Sequence, residues 1–90
     1  MSQDDFEELA RNIGLRVVEM RRAQGLRQID LARLIPGTVA WLSKIEQGTQ
    51  NLTLATMVKL SRALRVRVVD LFAAPSAGRK PSKRGRPRTD

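Results

Sequence analysis

Val39, Ala40, Ser43 and Lys44 have the types and spacing to touch base edges in a nucleic-acid groove. Lys44 can donate to guanine O6 or N7, or to a phosphate, and Ser43 is permissive as donor or acceptor. Val39 and Ala40 have no polar side-chain atoms and offer apolar contact to thymine methyl groups. Leu42 and Ile45, three positions apart, form an inward stripe, which turns those four residues outward on one helix. The early positions hold no arginine or glutamine, so bidentate reading of bases is thin; a plain solvated face is the alternative. Trp41, the single tryptophan, lies between the core edge and that outward face. It could pack on a sugar and donate its N–H to a phosphate, or cover the turn beside Pro36.

Positioning these side chains requires two short helices and a tight bend. Ile29, Leu31, Ala32 and Ile35 recur at near-helical spacing, which predicts a helix over about Gln28 to Ile35. Pro36 disfavours helix at Ile35, and Gly37 supplies the freedom to bend. Thr38 is placed to cap a helix running to Gln47, which Gly48 closes in a left-handed conformation. Upstream, Phe6, Leu9, Ile13, Val17 and Met20 make one apolar stripe, ending at a Gly25 cap. Ser2 and Asp5 resemble a capping box, and Asp4, Asp5, Glu7 and Glu8 suit the positive end of that helix. Thr53 caps a fourth helix, with Leu52 and Met57 as a hydrophobic staple. Leu54, Met57, Val58, Leu60, Ser61 and Leu64 give that helix a broad buried face. A short fifth helix over about Val68 to Phe72 completes an all-α domain of residues 1–74.

The residues Ile13, Val17, Met20, Arg21, Gly25, Leu26, Gln28, Leu31, Ala32, Ser43, Ile45, Glu46 and Gly48 form a joint pattern. It continues through Leu54, Leu60, Ala63, Leu64, Val66, Leu71 and Phe72. The pattern resembles the phage Cro/C1 repressor-type helix-turn-helix family in its compact five-helix form, over about two thirds of the chain. The resemblance implies DNA-binding transcriptional regulation, with Val39, Ala40, Ser43 and Lys44 contacting bases. It implies that Gln28 meets a phosphate, and Arg27, where the family prefers Ser, Thr or Asn, adds a cation beside it. Thr38, Trp41 and Gln47 join the backbone-contacting set. Thr49, Gln50 and Asn51 could bind the next phosphate, or be a plain polar loop. The resemblance also implies a shielded Arg21–Glu46 ion pair. Pro36-Gly37 departs from the family's usual Gly followed by an apolar plug, which puts the angle of the third helix in question.

Charge points the same way. The chain carries +8, with neither cysteine nor histidine. Six basic residues against Asp90 leave +5 in residues 75–90, and eleven against eight leave +3 in residues 1–74. Such a balance attracts polyanions, nucleic acid above all, although a tail that merely aids solubility is the bland alternative. Lys83-Arg84-Gly85-Arg86-Pro87-Arg88 resembles the AT-hook, whose Arg-Gly-Arg-Pro core lies along a narrow minor groove. Generic phosphate attraction by the same cations is the competing reading. The tail's Pro, Gly, Ser and basic content predicts disorder in isolation.

No disulfide, thiolate or imidazole metal site can form, and no cofactor is expected. No apolar run approaches membrane-spanning length and no secretory signal pattern opens the chain, which points to a cytoplasmic protein. Val66, Val68, Val69, Leu71 and Phe72 concentrate apolar surface and predict a homodimer, and the resemblance implies that it reads a near-palindromic operator. Alternatively, Val66, Val68 and Leu71 are core and Val69 is merely exposed. No effector-binding domain is evident, so repression or autoregulation would act by occupying a promoter. An antitoxin-like interaction module of the same fold is the second reading. Catalysis is not expected without histidine, cysteine or paired carboxylates. RNA binding is disfavoured because only Phe6, Trp41 and Phe72 are aromatic, two of them expected to be buried.

Overall fold

The computed structural model describes residues 3–75. In chain order it contains α1 (Gln3–Ala23), α2 (Gln28–Leu34), α3 (Val39–Gln47), α4 (Leu54–Leu64) and a terminal 3-10 helix (Val68–Phe72). Among the described residues there is no strand, so the class is all-α as expected. The fifth helix is a correction in kind: it is a tighter 3-10 turn of five residues rather than an α-helix.

The apolar stripe of α1 supplies Ile13, Val17 and Met20 to a core shared with Leu31, Leu42, Ile45, Met57, Leu60, Leu64 and Leu71. Of the expected staple, Met57 is in this cluster and Leu52, partly buried, packs against it. Caps then set where each rod stops. Gly25 turns left-handed at φ 72°, and the Leu26 N–H reaches back to the Arg21 carbonyl at 3.0 Å. Gly48, at φ 78°, ends α3 in the same manner. Thr38 Oγ1 accepts from Trp41 N–H at 3.0 Å, and Thr53 Oγ1 from Thr56 N–H at 3.1 Å, fixing the starts of α3 and α4. Arg65 closes α4 at φ 60°, a left-handed conformation uncommon for a residue with a Cβ.

Several expected core positions lie outside. Ile29 is 38 % exposed and Leu54 78 %, and Val58, on the α4 face expected to be buried, is also exposed. The periodicity predicts a wider stripe than a three-turn helix in so small a domain can cover. Phe6 and Phe72 are exposed too, and Trp41 is half-buried, so none of the aromatics is enclosed.

The backbones of α1 and the end of α3 approach closely. A Cβ on Gly14 would lie 2.5 Å from the Ile45 carbonyl oxygen and 2.6 Å from that of Glu46. A Cβ on Gly48 would lie 2.7 Å from Arg11 Cα. Two glycines thus let α1 press directly on the C-terminal turn of α3 and brace it from behind.

Candidate nucleic-acid interface

Leu42, Ile45 and Glu46 are buried on the inner side of α3, which leaves the other side free. Val39, Ala40 and Lys44 are exposed and Ser43 is half-exposed, so the four candidate base-contacting residues share one outward surface. Ser43 Oγ accepts from Gln47 Nε2 at 3.0 Å, which ties the candidate backbone contact Gln47 to that surface.

A buried charge network holds α3 from below. Arg21 Nε donates to Glu46 Oε2 at 2.7 Å and Arg21 Nη2 to Oε1 at 3.0 Å. Arg21 Nη1 donates to the Leu26 carbonyl at 2.9 Å, and Gln28 Nε2 donates to Glu46 Oε1 at 2.9 Å. Arg21 is 8 % exposed and Glu46 9 %, so the pairing satisfies charges that water reaches poorly. Gln28 is therefore engaged on Glu46 rather than extended freely toward solvent. Its half-buried amide joins the start of α2 to the end of α3.

Arg27 has no acceptor and cannot cap α2 through its side chain. Instead the Asp30 carboxylate accepts the Arg27 backbone N–H at 2.8 Å and the guanidinium at 3.0 Å through both Nε and Nη2. These bonds hold the Asp30 carboxyl at about 2, below its ordinary 3.8, and raise Arg27 further. Asp30 was not among the residues singled out from the sequence. The signal was present, since an acid three positions after a helix-capping residue is the second half of a capping box.

The Trp41 ring lies over the bend. A Cβ on Gly37 would meet its Cε3 at 2.7 Å and Cζ3 at 2.8 Å, so Gly37 admits the indole where the family usually places an apolar plug. The indole thus covers the turn, and Trp41 as a whole is half-buried. Thr49, Gln50 and Asn51 border one cleft with Gln47, and Arg11 from α1 lines its other side. Arg11 is a basic residue that periodicity alone leaves unremarked, because only the packing of α1 on Gly48 brings it there. Lys83, Arg84, Gly85, Arg86 and Arg88 lie outside the described residues. Among the described residues no group of acids could hold a metal ion, and no helix is long and apolar enough to cross a membrane.

Comparison with known proteins agrees with this geometry. Residues 17–71 match the helix-turn-helix family HTH_3. The chain belongs to this helix-turn-helix family, of the Cro/C1 type. It is a DNA-binding transcriptional regulator. Among solved structures it is similar to the restriction-modification controller protein C.AhdI from Aeromonas hydrophila, at 33 % identity and a TM-score of 0.68. That match covers 70 % of this chain and 96 % of the other. It is also similar to the hypothetical transcription factor NHTF from Neisseria, at 25 % identity and TM-score 0.72, covering 80 % of this chain and 84 % of that one. An HTH_3 family transcriptional regulator from Vibrio cholerae matches at 25 % identity and TM-score 0.70, over 74 % of this chain but 38 % of its own length. No curated protein matches the chain.

Proposed function

We propose that the protein is a dimeric repressor or autoregulator that enters the major groove of a near-palindromic operator with α3. The observation carrying this reading is the one-sidedness of α3. Its inner residues are locked by the core and the Arg21–Glu46 pair, while Val39, Ala40 and Lys44 stand free. Gln47, Thr49, Gln50, Asn51 and Arg11 flank one end of α3 and serve as backbone contacts, as do Arg27 and Gln28 beside it and Thr38 and Trp41 at its start. Val39 and Ala40 favour thymine methyls, so operators selected from random duplexes should carry A·T pairs at the positions they face.

The two-fold face needs correction in its membership. Leu71 is fully buried within one copy and offers no surface, and Val66 packs against the same core. Val68 is half-buried. Val69 and Phe72, 54 % and 47 % exposed, are the residues of the terminal 3-10 helix left to meet a second copy. Leu15 on α1, the helix against which this turn packs, is also exposed. The basic residues of 75–90 add attraction to the duplex, and the protein works in the cytoplasm, by steric occupation of a promoter. The similarity to C.AhdI, a restriction-modification controller protein, supports regulation as the outcome of binding.

Titrating a selected operator duplex into labelled protein tests the reading. The amides of Val39 to Lys44 should shift, and Leu42, behind them, should follow only weakly. Undisturbed Val39–Lys44 amides at saturating duplex would overturn it.

A further inference from the structure

Arg27 and Asp30, at the start of α2, form an ion pair whose geometry exceeds what capping α2 requires. A cap needs only the 2.8 Å bond from the Arg27 backbone N–H to Asp30 Oδ2. The terminal 3-10 helix shows that minimum at the same spacing. There the Arg67 backbone N–H reaches Asp70 Oδ2 at 2.9 Å, and among the described residues no ion pair joins the two side chains. At Arg27 the guanidinium lies on the carboxylate as well, with Nε on Oδ2 and Nη2 on Oδ1. That bond pair occupies one edge of a planar fork and leaves the Nη1–Nη2 edge with its own N–H groups. The Arg27 side chain is 75 % exposed, so the unused edge faces water.

The location matters as much as the shape. Gln28, the next residue, is bonded to Glu46 of α3. Glu46 lies in the last turn of α3. The Arg27 fork therefore stands one residue from the side chain that ties the start of α2 to α3.

We propose that Asp30 is a positioning residue for DNA binding, holding Arg27 by one edge so that the other takes a phosphodiester oxygen. This rests on the reading of α3 as the groove-entering helix. The pair is formally neutral, so its contribution is directional and not a matter of net charge. A free arginine must give up much rotamer freedom to make a two-pronged contact, whereas one already held on a carboxylate has lost it before DNA arrives.

The sign of one substitution separates this from simple electrostatics. Asp30→Asn removes a negative charge near a polyanion, so charge alone predicts tighter binding. Positioning predicts binding weakened by about threefold to tenfold, the scale of a lost hydrogen-bond geometry. The measurement is fluorescence anisotropy on a mixed-sequence duplex of about 20 base pairs, two helical turns, with melting curves confirming that each variant is folded. Asp30→Glu keeps a carboxylate for the fork and should bind within about twofold of the native protein. Arg27→Lys keeps the charge but has no second edge, and should lose as much as Asp30→Asn. In an Arg27→Ala background, Asp30→Asn should cause no further loss. Folded Asp30→Asn that binds as tightly as the native protein, or tighter, overturns the proposal, as does an equal loss in both backgrounds. A native protein that binds no duplex removes the groove reading together with this one.

Discussion

Glu46 ties α3 to both α1 and α2. It accepts from two nitrogens of Arg21 and from Gln28, and it sits in the last turn of α3, the helix proposed to enter DNA. Glu46→Ala leaves Arg21 buried without a counter-charge, which should destabilise the domain by about 3–5 kcal/mol. Chemical denaturation would read that loss. Under conditions where the variant remains folded, operator affinity should also fall, because α3 and the start of α2 lose their common anchor. Unchanged affinity in folded Glu46→Ala protein would contradict this role. Asp30 acts differently because it is only partly buried. Its carboxyl is depressed to about 2 by Arg27, so its stabilising contribution is present above the ordinary carboxylate range. That contribution is lost as pH falls from about 4 toward 2, through the folded-state value. The melting-temperature difference between the native protein and Asp30→Asn should therefore be constant above about pH 5 and shrink on acidification.

At the level of elements, the angle of α3 is set by where other helices touch it. α1 touches it through Gly14, where any side chain would displace the Ile45 and Glu46 carbonyls. Gly14→Ala normally gains helix propensity, of about 1 kcal/mol. Here the overpacking cost of about 1–3 kcal/mol should outweigh it, since the obstructing atoms are backbone and cannot swing aside. A lowered denaturation midpoint is the expected outcome, and a raised one would refute the close crossing. The other end of α3 is fixed by Thr38 and by Trp41 packed on Gly37. The Pro36-Gly37 departure thus has a physical resolution, in which the indole fills the space that an apolar plug would otherwise take. Legibility differed between these contacts. The caps at Thr38, Thr53, Gly25 and Gly48 follow from residue type and local spacing, and all of them are present. The Gly14 crossing is invisible in a linear pattern, because a glycine inside a helix looks only like a weak helix former.

For the molecule as a whole, two proposed contacts would extend the reach of a single helical unit. Val69 and Phe72 form the proposed two-fold face, so Val69→Asp with Phe72→Asp should yield a monomer by analytical ultracentrifugation. The same variant should lose most of its affinity for a two-half-site operator while α3 remains intact, because the second half-site no longer adds to the first. Native protein that is monomeric at the concentrations where it binds would remove this face. The basic end of the chain supplies much of the net charge, with Arg79, Lys80, Lys83, Arg84, Arg86 and Arg88 beyond the domain. Deleting residues 79–90 should weaken binding and flatten the dependence of log affinity on log salt, because fewer counterions are released. An unchanged slope would assign the tail no part in phosphate contact.

The order of residues alone determined the helical class, the bend at Pro36-Gly37, the caps, and the outward set Val39, Ala40, Ser43 and Lys44, all of which depend on neighbours within a few positions. It also marked Arg21 and Glu46 through resemblance to a known pattern. Tertiary structure alone decided that Gln28 bonds to Glu46, that Arg11 reaches the Thr49–Asn51 connector, and that Leu71 is core while Val69 and Phe72 are surface. The reason is geometric. Periodicity says which residues share a face, but how much of that face is covered depends on partners distant in sequence and on how closely their backbones can approach.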